Sequence, residues 1–472
     1  MNLLADRAAR WPERIALVDG DERWNWSRLH DEARALAAEL QQTHGVAPGD
    51  IVATALENDA GHVILLHAIF LCGAIAAPLN VRLTAAEQSR QIAHLQPRLF
   101  LSEPVSFTAS SADFHPVQTD ESRLCSILFT SGTSGEMKAV PHTWMNHRAS
   151  AEGSAENLGV RTDDNWMCVI PLYHIGGLAI VTRSLFYGTA LTVWKGFEAS
   201  AILETLGRER ITLLSLVPTM LQRMLEANAS FTAASLPALR AILLGGAAAS
   251  RTLWDDALAR GLPVLGTYGL TETCSQVVTA SPSALAAMAG SAGRPIGGAE
   301  LRIEDEHGNA LTSGNTGEIC IRGTMVATGY LRNVPLTAER FANGWFHSGD
   351  VGMIDDANCL HVIGRRDDMI VTGGENVYPT EIEDILVRHP AVHETAVTGV
   401  EDADWGQKIA AAIVCHADLT VAELEDWCRR EMAGYKIPRV WLRVEVLPRT
   451  ASGKLIRGEV RRMFIDSLPS RP

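Results

Sequence analysis

Between residues 200 and 270 the chain switches hydrophobic period again and again, and this alternation limits the folds open to it. Ala201 to Arg208 reads as a helix, Ile211 to Val217 as a strand, and Pro218 to Ala227 as a helix with proline at its first position. Ala241 to Leu244 is strand-like, Ser250 to Arg260 is helical, and Pro263 to Tyr268 is again a strand. Strands and helices succeeding one another in this way imply right-handed crossovers and a parallel sheet flanked by helices. Ligands of such sheets bind beyond the carboxyl ends of the strands. Two of these ends run into Gly245-Gly246 and Tyr268-Gly269, so those turns are the first candidates for a site.

The remaining chain divides by texture. A length of 472 residues, at roughly 100–200 residues per domain, suggests two to four domains. Trp26 to Leu40 is an amphipathic helix with Ser27 as its expected N-cap, Asp50 to Leu56 a strand, Gly61 to Leu71 a buried helix and Leu191 to Trp194 a short strand. The longest apolar run, Val63 to Leu79, contains His67 and Pro78 and is shorter than the roughly 20 residues of a spanning helix, so a buried helix followed by a turn is expected. After Gly290, short β-like pieces (Glu300 to Ile303, Glu318 to Arg322, Leu360 to Ile363) alternate with glycine-rich turns. Gly364-Arg365-Arg366-Asp367-Asp368 is a charged interruption and a candidate linker. Beyond it, helices over Thr380 to Arg388 and Val421 to Met432 and strands over Glu394 to Val400 and Lys408 to Cys415 suggest a compact α+β tail.

Composition excludes some functions. The 55 acidic against 41 basic side chains give a formal charge of −14, which counts against a nucleic-acid partner held mainly through phosphates. It leaves room for an anionic ligand, because a nest of backbone N–H groups binds phosphate whatever the net charge. The N-terminus has no apolar stretch ending in a cleavage site, and the eight cysteines contain no Cys-x-x-Cys pair. A cytoplasmic protein without a disulfide or zinc framework is expected.

Four segments carry the residue types that chemistry needs. Thr130-Ser131-Gly132-Thr133-Ser134-Gly135-Glu136-Met137-Lys138 follows the apolar run Ile127 to Phe129; its hydroxyls, glycines and lysine can wrap a polyphosphate. It is not a Walker A loop, since no glycine precedes Lys138 and no Ser or Thr follows it. Tyr268-Gly269-Leu270-Thr271-Glu272-Thr273 ends a strand with an aromatic that can stack on a base, a hydroxyl for phosphate and a carboxylate for Mg²⁺; a helix start capped by Thr and Glu is the plain alternative. Trp345-Phe346-His347-Ser348-Gly349-Asp350 offers a carboxylate on a glycine turn, suited to a ribose or simply to a β-turn. Pro448-Arg449-Thr450-Ala451-Ser452-Gly453-Lys454 puts a lysine on a glycine loop, able to reach a neighbouring domain or to stay solvated.

In this order and spacing the four segments resemble the AMP-forming adenylating superfamily, which includes acyl- and aryl-CoA ligases, peptide-synthetase adenylation domains and luciferase-like enzymes. Pro171-Leu172-Tyr173-His174, Gly364 to Asp368 and Gly373-Gly374-Glu375-Asn376 match further motifs of that family, so the resemblance covers essentially the whole chain. Met137 stands where the family usually has proline and Ala139 where it usually has glycine, but Lys138 is retained. Within the family, Pro171 to Leu178, Leu243 to Ala248, Tyr268 to Gln276 and Gly290 to Pro295 look most like the 2-succinylbenzoate–CoA ligases of menaquinone biosynthesis.

The resemblance implies a large α/β N-terminal domain over residues 1–366, with mixed and parallel sheets and a β-rich end at 290–366, and a small mobile α+β C-terminal domain over 367–472 hinged at Asp367. It implies ATP, Mg²⁺ and coenzyme A, and a small carboxylic acid that is first adenylated and then transferred to the CoA thiol. Lys454 would bridge carboxylate and α-phosphate. Thr271 and the Thr130 to Lys138 loop would hold phosphates, and Glu272 would hold Mg²⁺. Asp350, assisted by Arg365, would take the ribose hydroxyls. Tyr268, followed by Gly269, would stack on adenine, with Gly246 and Ala247 at its edge and Gly245 beside the acid. Gly373 and Gly374 would line the pantetheine tunnel, and Tyr173 and His174 would gate the acyl pocket. Aryl- or fatty acyl-CoA ligation is the alternative activity.

Arg183 is the candidate for substrate choice. It interrupts the apolar stretch Leu178 to Tyr187, where a cation is costly to bury without a partner. Either it pairs with a nearby carboxylate or snorkels toward solvent, or it meets the second carboxylate of a substrate such as 2-succinylbenzoate. Other classes fit less well. Asp466-Ser467-Leu468 superficially matches a phosphopantetheine site, but only four residues follow it in this sequence. Ala289-Gly290-Ser291-Ala292-Gly293 lacks the first glycine of a hydrolase elbow. A non-catalytic nucleotide binder would have no need of both Lys454 and Glu272.

Overall fold

The structure is a computed structural model that describes residues 2–104, 114, 116–118, 120–130, 137–284, 288, 290–402, 404–450 and 453–467. Its widest sheet has nine strands. The run Val264–Leu270, Ala241–Leu244, Leu213–Leu216, Asn165–Cys168, Ala190–Val193 and Ile15–Asp19 is parallel throughout. Antiparallel strands close both edges: Ser275–Thr279 and Arg294–Pro295 on one side, Glu22–Asn25 on the other. The alternation between residues 200 and 270 therefore builds the parallel heart of the sheet. Helix Pro218–Ala227 starts on its proline and buries Met220, Leu221, Met224 and Leu225. Each such side chain contributes roughly 1.5–3 kcal/mol when fully buried.

A second sheet orders Leu99–Leu101, Ile51–Thr54, Ile75–Pro78, Leu124–Thr130 and Lys138–Thr143. Only its last pair is antiparallel. Helix Ala60–Leu71 is buried along nearly its whole length and belongs to the same core as helix Trp26–Gln42. A helix apolar on every side is expected where neighbours cover every side. No helix among the described residues is long and apolar enough to cross a membrane.

The third sheet, Glu300–Glu304, Gly317–Arg322, Trp345–Ile354, Phe341–Ala342 and Leu360–Arg365, is wholly antiparallel. The fourth comprises Glu375–Val377, Ile370–Thr372, Gly406–Cys415 and Val392–Asp402, with Val440–Arg443 parallel to Gly406–Cys415. Helices Pro379–Leu386 and Val421–Glu431 pack on it around their own core of Ile382, Leu386, Val397, Ile409 and Leu424. The molecule is thus a large α/β N-terminal domain with a β-rich end and a smaller α+β C-terminal domain.

Three local expectations need correction. Helix Trp26–Gln42 is capped by Asn25, whose side chain accepts from the Arg28 amide at 2.8 Å, and not by Ser27. The helix begins at Trp26 as expected, and Trp26 is almost fully buried in its first turn, which leaves the residue before it as the cap. The strand expected to stop at Tyr268-Gly269 continues to Leu270, then reverses through one 3₁₀ turn, Thr271–Thr273, into the antiparallel strand Ser275–Thr279. No α-helix follows. The Gly364 to Asp368 segment is ordered as the end of a strand and a 3₁₀ turn, Arg366–Asp368, because Arg365 pairs across the sheet with Asp350.

Candidate active site

The parallel strands Leu213–Leu216, Ala241–Leu244 and Val264–Leu270 release their carboxyl ends side by side, and the residues that follow form one rim. On that rim stand Val217 and Thr219, Gly245 and Gly246, and Thr271 and Glu272. Close packing fixes two of the glycines. A Cβ on Gly245 would lie 2.6 Å from the Thr267 carbonyl oxygen, and one on Gly269 would lie 2.0 Å from that of Ser275. Gly246 and Ala247 continue the rim, and Ala247 is exposed.

Asp350 is buried beside this rim and held on three sides. The Tyr268 hydroxyl donates to Oδ2 at 2.8 Å, Arg365 Nε stands 3.2 Å from Oδ1, and the Asp350 amide donates to Ser348 Oγ at 3.0 Å. Burial and the neighbouring Asp350 charge push the Tyr268 phenol far up, so it remains a neutral donor. Glu272 is buried too. Tyr330 donates its hydroxyl to Glu272 Oε1 at 2.8 Å, and among the described residues no cation pairs with Glu272. A buried carboxylate with only a neutral phenol as partner suits a divalent cation, so the donor chemistry fits Mg²⁺.

Thr271 is fixed from behind. His142 Nε2 lies 2.7 Å from the Thr271 carbonyl oxygen; since that oxygen only accepts, Nε2 carries the proton. Burial lowers His142 to about 4, so the ring is neutral. Ser126 Oγ stands 2.9 Å from His147 Nε2, and His147 Nδ1 stands 3.3 Å from Thr182 Oγ1, so a buried polar chain continues beneath the turn. His142, Tyr330 and Ser126 were missed in the sequence, because none lies in a segment with a recognisable spacing.

Lys454 comes from the C-terminal domain. Gly453, at φ +81°, rests on the rim: a Cβ there would meet Thr219 Oγ1 at 2.4 Å and Val217 Cγ2 at 3.4 Å. The loop is tied by Arg449, which donates to the Gly453 carbonyl at 2.9 Å and to Glu394 at 2.9 Å. Arg457 pairs with Asp368 at 3.3 Å and with Glu383 at 2.6 Å. Burial, and next the Arg365 charge, lower the Lys454 ammonium to about 8, while Asp350 and Asp368 pull the other way. The structure therefore brings Lys454, Asp350, Arg365, Tyr268 and the Thr271–Glu272 turn to one place. Asp367 is exposed in the 3₁₀ turn between the two domains.

Other expected residues stand apart. Thr130 and Lys138 pair across the hairpin whose connection is the expected phosphate loop; Ser131, Gly132, Thr133, Ser134 and Gly135 lie outside the described residues. Gly373 and Gly374 form the tip of the hairpin Ile370–Thr372 and Glu375–Val377, where Gly373 abuts Trp405 of the same domain and a Cβ on Gly374 would meet no described residue within 4 Å. Ser291 is buried, and its hydroxyl donates to the Met288 carbonyl at 2.9 Å.

The rings of Tyr173 and His174 stand 4.7 Å apart at the start of helix Ile175–Tyr187. Among the described residues His174 Nε2 is buried without a hydrogen-bond partner, and burial lowers the ring to about 4. Arg183 on the same helix is only 2% exposed. Its contacts are neutral: Ser150 Oγ at 3.1 Å, Gln276 Oε1 at 3.4 Å and the Trp166 ring at 5.4 Å. Arg183 Nε and Gln276 Nε2 have no partner, and no carboxylate pairs with Arg183 among the described residues. The expected alternative of an ion pair within the protein is therefore not what the structure contains.

The same residues can be compared with known proteins. The AMP-binding enzyme family model matches residues 4–113 and 102–331, and that of the AMP-binding enzyme C-terminal domain matches 381–454. The chain belongs to the AMP-binding enzyme family. Among curated members of this family, a 2-succinylbenzoate–CoA ligase of Bacillus licheniformis is 37% identical over 97% of this chain and 98% of its own. Among solved structures, o-succinylbenzoate CoA synthetase from Bacillus subtilis in complex with the acyl-adenylate intermediate OSB-AMP superposes with a TM-score of 0.90 at 35% identity, covering 98% of both chains. The form of that enzyme with ATP and magnesium ion gives 0.89 at 35% identity, over 97% of this chain and 98% of that one. With this family and these relatives, the chain is an acid–thiol ligase.

Proposed function

We propose that this chain is an ATP-dependent, AMP-forming carboxylate–CoA ligase whose acid is 2-succinylbenzoate. A carboxylate is a poor acyl donor because its leaving group is oxide. In the first half-reaction its oxygen attacks the α-phosphorus of ATP, releasing pyrophosphate and forming a mixed anhydride. In the second, the CoA thiolate attacks the acyl carbon and AMP departs.

The observation that carries this reading is the convergence of Lys454 with Asp350 and Arg365 at the carboxyl ends of the parallel strands. Asp350 takes the two ribose hydroxyls, its carboxylate already aligned by Tyr268 and Arg365. Tyr268 presents its ring to adenine, with Gly246 and Ala247 at the edge. Thr130, Lys138 and Thr271 hold the phosphates, and Lys454 bridges the incoming carboxylate and the α-phosphate, where negative charge gathers. Glu272 would hold Mg²⁺, which when bound neutralises phosphate charge. For the second half-reaction the C-terminal domain turns about Asp367, withdraws Lys454 and brings Gly373 and Gly374 to the pantetheine arm. The domain division proposed with it is 1–366 and 367–472.

Substrate choice rests on the acid pocket. 2-Succinylbenzoate has two carboxylates, of which one is activated and the other must be recognised. Arg183, cationic and buried among neutral groups, suits the second carboxylate, directly or through water, and His174 gates the entrance with Tyr173. A plain benzoate or fatty acid would leave that cation buried without purpose. A cytoplasmic location fits eight cysteines that are all free. The test is ATP–pyrophosphate exchange over succinylbenzoate, benzoates and fatty acids, followed by CoA addition to the acids that respond. Exchange with monocarboxylates but not with succinylbenzoate would assign the alternative, an aryl- or fatty acyl-CoA ligase.

A further inference from the structure

The segment that carries Asp350 also carries His347, which the nucleotide reading leaves without a task. His347 lies on strand Trp345–Ile354, opposite Cys320 of strand Gly317–Arg322. Cys320 in turn faces Arg302 of strand Glu300–Glu304, two residues from Glu304. Side chains alternate across a sheet, so Arg302, Glu304, Cys320 and His347 share the face opposite the apolar Ile303, Ile319, Ile321 and Phe346. Glu304 and Cys320 are nevertheless buried, while His347 keeps one edge open to solvent.

Among the described residues this is the one group of three different donors, carboxylate, thiol and imidazole, whose ligand atoms all lie within 4.8 Å of one another. Cys320 Sγ stands 3.4 Å from His347 Nδ1, and His347 Nδ1 stands 3.6 Å from Glu304 Oε2. The first distance is that of a thiol–imidazole hydrogen bond and the second that of an ion pair too long for a hydrogen bond, so the three groups already face one another. Both distances are those of ligand edges. Tetrahedral zinc with its usual bond lengths sets sulfur and nitrogen about 3.6 Å apart and nitrogen and oxygen about 3.4 Å apart. Arg302 pairs with the other oxygen of Glu304 and rests on the Trp345 ring at 4.2 Å, which fixes the carboxylate with Oε2 turned to His347.

We propose that Glu304, Cys320 and His347 bind a divalent transition-metal ion of the zinc type, with the fourth position open to water at the exposed edge of His347. A sulfur, nitrogen and oxygen donor set selects zinc or cobalt over magnesium or calcium, so this site is separate from Glu272 in chemistry as well as in place. Binding releases the Cys320 thiol proton to solvent and forms a metal–thiolate bond. The ion ties three strands together three residues before Asp350, and so stiffens the segment that presents the ribose carboxylate.

The full chain, stripped with a chelator and titrated with cobalt(II), should develop thiolate-to-cobalt charge-transfer absorption that saturates at one equivalent and is displaced by zinc. Cys320→Ser should abolish the band, and Cys415→Ser, which removes a half-buried cysteine on the other domain, should keep it. Glu304→Gln should weaken cobalt binding by at least about tenfold. Zinc should also raise the midpoint of thermal unfolding of the wild type and leave that of Cys320→Ser unmoved, with pyrophosphate exchange confirming that the variant is folded. No band in the wild type, a band that survives Cys320→Ser, or one that vanishes in Cys415→Ser would overturn the site.

Discussion

The two halves of the candidate site are finished to different degrees. On the nucleotide side the charged groups already have partners: Asp350 has Tyr268 and Arg365, and Glu272 has Tyr330. On the proposed acid side Arg183, His174 and Gln276 each keep a buried nitrogen with no partner among the described residues. An unmade buried hydrogen bond costs about 1–3 kcal/mol, so the proposed acid side carries a cost that the proposed nucleotide side does not. The difference separates two strategies. In the proposed reading, the nucleotide meets a pre-aligned cradle, whereas the acid is recognised by groups left waiting for it.

The strongest way to break this comparison is to remove the group that belongs to neither half. Lys454→Ala should abolish adenylate formation by orders of magnitude while a supplied acyl-adenylate is still converted to thioester. Half-reaction assays decide it, and equal loss of both steps would mean that Lys454 never leaves the site. Asp367→Pro should do the reverse. Proline fixes φ near −65°, compatible with the 3₁₀ turn there, so adenylation should persist while the thioester step falls by orders of magnitude.

Arg183→Leu sharpens the acid side. An arginine–carboxylate contact is worth about 1.5–3 kcal/mol, so KM for succinylbenzoate should rise about tenfold to a hundredfold. Turnover of a monocarboxylate analogue should be unchanged or better. The variant should also melt higher than the wild type without substrate, since removing a buried cation with only neutral partners relieves its desolvation; a lower melting point would make Arg183 structural.

Lys454 also gives a pH signature. Only the charged form bridges two anions, so kcat/KM for adenylation should fall about tenfold per pH unit above about 8. The sign for stability is opposite. The folded value lies below the ordinary 10.5, so burial of the charged amine costs stability at neutral pH, and that cost is relieved as pH rises from about 8 toward 10.5. The smallest effect is expected on the finished side. Tyr330→Phe removes one hydrogen bond from Glu272, worth about 1 kcal/mol, and should raise the magnesium half-saturation of pyrophosphate exchange about fivefold.

Much of the parallel sheet was legible because strand Ala241–Leu244 and helix Pro218–Ala227 carry pure signals: an unbroken apolar run and a proline at the first helical turn. The reversal after Leu270 was not legible. Ser275–Thr279 is buried on both faces as an antiparallel neighbour, and its sequence has neither alternation nor a short turn signal before it. In the site, Tyr268, Asp350, Arg365 and Lys454 were legible only through the order of their motifs, since spacing alone left each with a plain alternative. His142 and Tyr330 were illegible because they act through contacts 129 and 58 residues away in sequence. The cost of burying Arg183 was visible as a question, and only tertiary packing showed that no carboxylate among the described residues pairs with it.

The cross-strand pairing of Asp350 with Arg365 has a mechanical consequence. Arg365 is fastened to Asp350, and Arg366 to Glu318 at 2.9 Å, so the strand entering the proposed pivot is bolted on both sides up to the residue before Asp367. Torque from a turning C-terminal domain would be absorbed in the first joint beyond those bolts and would not reach the carboxylate that grips the ribose. A reactive anhydride could then stay registered in its cradle while the lid over it is exchanged, and the bolt would loosen only when the ribose itself departs.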